Sequence, residues 1–248
     1  MITTKTSTQT YARIGGVLYL ILILVEMFAV IFVRDKLIVS GDATATANNI
    51  IGSQSLWRFG IAADLIMHVL DVPIMLIIYL LLRPVNKNLA LLVLLFNLIQ
   101  TAVLVANKLN LIAALLPLEN EDYLKAIEPH QLHAQVYLSL KLHDYGFGIG
   151  LLFFGFVCLI EGYLIFRSGF LPKIIGILMQ IAGLCYLTNS FALLLAPKFA
   201  NMIFPAIMMP CFVAELSFCL WLIVKGVNLP KWEKRASSWR DSGALTQI

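Results

Sequence analysis

LWRFGIAADLIMHVLDVPIMLIIYLLL, residues 56–82, is the stretch whose reading decides the fold. It is long and apolar enough to cross a bilayer as a helix. Yet it carries Asp64, His68 and Asp71, residues that lipid resists. A helix turns about 100° per residue, so His68 lies roughly 40° to one side of Asp64 and Asp71 roughly 20° to the other. The three form one narrow acid–imidazole–acid face, which must point at protein or water and not at acyl chains.

The rest of the chain has the same character. Of 248 residues, 60% are hydrophobic and 13% charged, with a mean hydropathy of +0.88. That is too little polar surface to coat a globule of this size in water. Runs of about 20 apolar residues call for helices, since a spanning strand needs only about 10 with strict alternation. The expectation is all-α: one transmembrane domain over 1–230 with six spans, about 12–33, 56–82, 88–116, 142–166, 173–195 and 203–225, then a polar tail over 231–248. The first run is too long for a signal-peptide core and ends in VRDK, so it reads as an uncleaved span. Residues 42–52 suggest a short helix capped by Asp42, and Pro73 should kink span two.

The Lys/Arg bias sets orientation. With the N-terminus cytoplasmic, eleven Lys and Arg fall inside, Lys5 and Arg240 among them. Six fall outside: Arg34, Lys36, Arg58, Lys125, Lys141 and Lys198. Both termini are therefore expected in the cytoplasm, with the acidic segment 118–137 outside. The basic tail, KWEKR at 231–235, suits contact with anionic lipid. A formal charge of +4 without basic tracts gives no reason to expect a nucleic-acid partner. The four cysteines sit in apolar runs without metal-finger spacing and read as small packing residues.

Gly148, Gly155, Gly162, Gly169, Gly176 and Gly183 recur every seven residues, continued by Ser190. Small residues in register let helix backbones approach in lipid, so spans four and five should pack as a hairpin. GFGIG at 146–150 lies within a span and reads as packing, not as a phosphate cradle.

Each ionisable group at the bilayer centre costs about 2.5–3.5 kcal/mol, so such groups need partners or water and mark a functional site by default. Glu26, Asp64, His68, Asp71, Asn107, Lys108, His143 and Asp144 fall at compatible depths, in what would be the outer half of the bundle. They suggest an outward-facing polar cavity, with Lys108 paired to Asp64 or Asp71 and Glu215 at its floor. Asp144, near Gly155 on the helical wheel, should face other helices. Glu161, near the cytoplasmic end of its span, is read as snorkelling or as facing Arg167 and Lys173. Three functions compete. A cavity could bind or move a small polar solute or a proton, with no cofactor. A divalent metal held by Asp64, His68, His143 and Asp144 could assist an intramembrane hydrolase. The charges could also serve only to hold helices together. His130 and His133, in the outer segment, read as solvated.

Several segments resemble the bacterial membrane-protein family catalogued as domain of unknown function 4386. They are ARIGGVLYL at 12–20, RFGIAADL at 58–65, DVPIMLIIYLLLRPVNKNLALL at 71–92, KLHDYGFGIGLLFFGF at 141–156 and GYLIFRSGFLPKIIGIL at 162–178. The resemblance spans nearly the whole chain. It implies a single domain in a bacterial cytoplasmic membrane, and it carries no catalytic residues. His68 falls between two of the matching segments.

Overall fold

The computed structural model describes residues 5–119 and 122–245; residues 1–4, Asn120 and Glu121 of the acidic segment, the last three residues of the tail and the side chains of residues 5–7, 123 and 240–245 (Lys5 and Arg240 among them) lie outside it. Among the described residues the chain is all-helical, and six helices are long and apolar enough to cross a membrane. In chain order the α-helices are α1 (Lys5–Met27), α2 (Asp35–Leu37), α3 (Ala43–Gly52), α4 (Gln54–Leu82), α5 (Lys87–Ala113), α6 (Pro129–Ser168), α7 (Lys173–Leu195), α8 (Pro197–Ile203), α9 (Met209–Val224) and α10 (Leu229–Leu245). The spans are α1, α4, α5, α6, α7 and α9.

Local chemistry sets the boundaries. Asp42 caps α3, its carboxylate accepting from the Ala45 amide at 2.8 Å, and Asn86 caps α5 by accepting from Leu89 N at 3.0 Å. Gly169 ends α6 with φ of 75°, a left-handed conformation that favours glycine. The helix of α4 continues through Pro73.

Each span packs on its neighbours in sequence, and α9 packs back on α1, so the six close into a ring. One end of the ring carries the tight turns at 83–86 and 169–172 together with the ends of the span set. There the Gln9 side chain donates to Lys225 O at 2.7 Å and accepts from Val227 N at 3.1 Å. The other end carries the long connections. There a second apolar cluster, including Val33, Ile50, Trp57, Leu111 and Val136, ties α3 to the start of α6.

The glycine ladder is the α6–α7 seam. A Cβ on Gly162 would meet the Gly176 carbonyl at 2.6 Å, and one on Gly183 would meet the Gly155 carbonyl at 2.7 Å. The pairs Gly155–Gly183 and Gly162–Gly176 lie symmetrically about the turn residue Gly169, at which a Cβ would meet nothing within 4 Å. Gly150 of the GFGIG stretch packs on Leu104, as packing glycines do.

Three boundaries differ from expectation. Helix α6 starts at Pro129, thirteen residues before the predicted span, because 129–141 pack on α3 and are not a loop. The tail is helical over Leu229–Leu245, held where Trp232 Nε1 donates to Leu81 O at 3.0 Å and Arg83 lies over the Trp239 ring. Pro205 and Pro210 delay the last α-helical span to Met209, after a 3-10 turn at Ala206–Met208.

Candidate functional site

The acid–imidazole–acid face of α4 does point inward: Asp64, His68 and Asp71 are all buried. It faces two layers, not one. The upper layer, nearer the long-loop end, is a chain of alternating charge. Asp64 Oδ2 accepts from Lys108 Nζ at 3.0 Å and from Arg34 Nη1 at 2.6 Å, and Arg34 Nη2 reaches Glu26 Oε1 at 3.0 Å. Asp64 is 0% and Lys108 1% exposed. Two acids and two bases balance, which is what burial demands of charges.

Arg34 was read as part of the outer connection. It enters the bundle because α1 continues as a π-helix over Phe28–Arg34. Eight residues of α-helix overshoot two full turns by about 80°. The wider π turn rotates less per residue and brings Arg34 round towards Glu26. Periodicity alone does not reveal such a bulge.

The lower layer is a cavity of about 140 Å³ at mid-bundle, to which all six spans contribute. Glu26, His68 and Asp71 line it, as the face of α4 suggested. So do Asn97 and Gln100 from α5, Glu161 from α6 and Glu215 from α9. Asp71 accepts from Asn97 Nδ2 at 3.4 Å and, closely, from the Thr101 hydroxyl. Glu215 accepts from the Tyr19 hydroxyl at 2.9 Å and from the Tyr186 hydroxyl. These tyrosines come from α1 and α7, so three spans converge on one carboxylate.

Glu161 corrects the sequence reading. It is 4% exposed and faces the cavity, and neither Arg167 nor Lys173 pairs with it. Side chains lean towards a helix's N-terminus, and for α6 that direction is the middle of the bundle. A signal was present: Phe147, Phe154 and Glu161 are seven apart, hence on one face, and all three line the cavity. Buried polar atoms without a partner among the described residues gather here, namely Glu26 Oε2, His68 Nε2, Asn97 Oδ1 and Glu161 Oε1.

The remaining expected residues fall elsewhere. Asn107 donates to the His143 carbonyl at 2.9 Å and accepts from Asn110, bonding α5 to α6 above the cavity. His143 is buried, with its ring stacked on Phe147. Asp144, expected to face other helices, is exposed, 3.6 Å from Lys141. By the glycine register it lies level with the last turn of α7, where the covering helix ends. Asp144 thus stands apart from Asp64 and His68, and among the described residues no three His, Cys, Asp or Glu side chains form a group able to hold a metal ion. The metal-assisted expectation finds no assembled donor set in this geometry.

The profile of a family described as Domain of unknown function (DUF4386) matches residues 14–226. A protein of Archaeoglobus fulgidus, described as an uncharacterized protein, is 30% identical over 171 residues, covering 69% of this chain and 86% of its own length. No solved structure matches the chain.

Proposed function

The chain belongs to the DUF4386 family, and we propose that it binds a small polar solute or a proton in the mid-bundle cavity and passes it across the bilayer. The observation that carries this reading is a space lined by every span in which buried polar atoms of Glu161, His68 and Asn97 lack partners. Leaving such groups unpaired costs about 1–3 kcal/mol each, a poor arrangement for glue alone. A cavity of this size takes only a small guest.

The purely structural reading fits the upper layer better. The chain Glu26–Arg34–Asp64–Lys108 is charge-balanced and links α1, α4 and α5. We assign it to holding the helices and the cavity to the solute.

In the orientation favoured by the Lys/Arg bias, both termini are cytoplasmic and the long-loop end faces out. Lys231, Lys234 and Arg235, all exposed on α10, would then rest against anionic headgroups of the inner leaflet. We propose a bacterial cytoplasmic membrane as its location, the reading that the segments at 12–20, 58–65 and 71–92 support by resemblance.

The test is flux. Purified protein is reconstituted into vesicles loaded with a pH-sensitive dye, and an ion gradient is imposed with and without small polar solutes outside. Proton or solute entry above that of empty vesicles, reduced about tenfold or more in Glu161→Gln, supports the reading. Neither flux nor saturable binding of any probe overturns it.

A further inference from the structure

We infer that the guest of the mid-bundle cavity is a small organic cation, an alkylammonium of about six heavy atoms or fewer; this rests on the solute-cavity reading above. Two observations carry it: the charge balance of the cavity and the chemistry of its walls.

Asp71, Glu161 and Glu215 all line the space. Among the described residues, none of the three is ion-paired with a Lys, Arg or His. The bases of the upper layer, Arg34 and Lys108, are engaged by Glu26 and Asp64. The three carboxyls differ in what the protein gives them. Asp71 has the Thr101 hydroxyl and the Asn97 amide, and Glu215 has two tyrosine hydroxyls. Glu161 has none: it is 96% buried and Oε1 has no hydrogen-bond partner. A carboxylate removed from water is compensated either by a proton or by a counter-charge. An anion would be repelled, a neutral guest would leave the group to hold a proton, and a cation compensates the carboxylate directly.

The walls select among cations. A bare inorganic ion needs a close shell of oxygens, but most of the lining is apolar, including Met67, Ile74, Val93 and Leu151. Aromatic rings supply the rest. Phe154 and Tyr186 pair at 5.3 Å between centroids, and both line the cavity together with Tyr19 and Phe147. A carboxylate beside several aromatic faces suits an ammonium whose carbon groups lie on the rings and the aliphatic wall. The volume of about 140 Å³ sets the size limit.

The test is equilibrium dialysis of the purified full-length protein in lipid nanodiscs with radiolabelled tetramethylammonium. Competitors are tert-butanol (similar shape, uncharged), propionate (similar size, anionic) and sodium chloride. The expected result is saturable binding of one cation per chain, displaced by ethylammonium but not by tert-butanol, propionate or sodium at equal concentration. Glu161→Gln should weaken it about tenfold or more, and Glu119→Gln, in an exposed pair with Arg58, should not. Because no donor among the described residues bonds Glu161, the amide variant keeps the fold's contacts. The comparison of probes on the unaltered protein decides even without it. Displacement by tert-butanol as effective as that by ethylammonium, or displacement by sodium, overturns the organic-cation assignment and leaves the cavity reading standing. So does proton flux without any cation binding. Failure of every probe together with absent flux removes both.

Discussion

At the scale of single residues, the strongest dependence falls on Asp64. Its Oδ2 serves both Lys108 and Arg34 in a site that excludes solvent. Removing one member of such a set strands the others, which costs about 3 kcal/mol. Asp64→Leu and Lys108→Met should each lower stability by that order in reversible unfolding from detergent. The double variant should lose less than the sum, since Arg34 keeps Glu26. Additive losses would show that the pair is not coupled. Tyr186→Phe should cost about 1 kcal/mol by leaving Glu215 with Tyr19 as its remaining tyrosine donor, visible as a lower melting temperature. Much of this scale was legible. His68 and Asp71 face the cavity because helical periodicity fixes their direction once α4 is recognised. Arg34 was not legible, because a π-helical stretch breaks the period that locates it. Asp144 was misplaced for the opposite reason: its angle was right, but α7 ends beside it.

At the scale of elements, the seam between α6 and α7 holds the ring most tightly. A methyl group on Gly162 would strike backbone, the Gly176 carbonyl at 2.6 Å and Gln180 N at 2.8 Å, and backbone cannot rotate away. Gly162→Ala should therefore destabilise by about 2 kcal/mol. Gly52→Ala, where a Cβ meets nothing within 4 Å, should leave the melting temperature unchanged. Equal effects would sink the close-approach account. This seam was readable from the sequence because a repeat of seven leaves a trace in letters. The α3–α6 packing at the long-loop end left none: residues 129–141 are polar enough to pass for a loop, and their helix depends on neighbours far away in sequence.

At the scale of the whole molecule, closure of the ring brings Gln9 against Lys225 and Val227, so the span set begins and ends on one side. Reporters that work only in the cytoplasm, fused to either terminus, should both be active, and the same reporter inserted at 118–119 should be silent. Opposite results at the two termini would contradict six crossings. An inverted pattern would keep six crossings and reverse the orientation.

Ring closure also has an order in time. Of the six spans, ribosomes deliver α1 first and α9 last, yet Glu215, on α9, is the group to which Tyr19 on α1 and Tyr186 on α7 donate. Until α9 enters the bilayer, both hydroxyls lack that acceptor and the wall between α1 and α7 is open to lipid. A chain stalled before residue 209 is therefore a five-helix crescent with its acids turned towards acyl chains. Such a nascent form should depend on an insertion chaperone, or be degraded, until the sixth helix completes it.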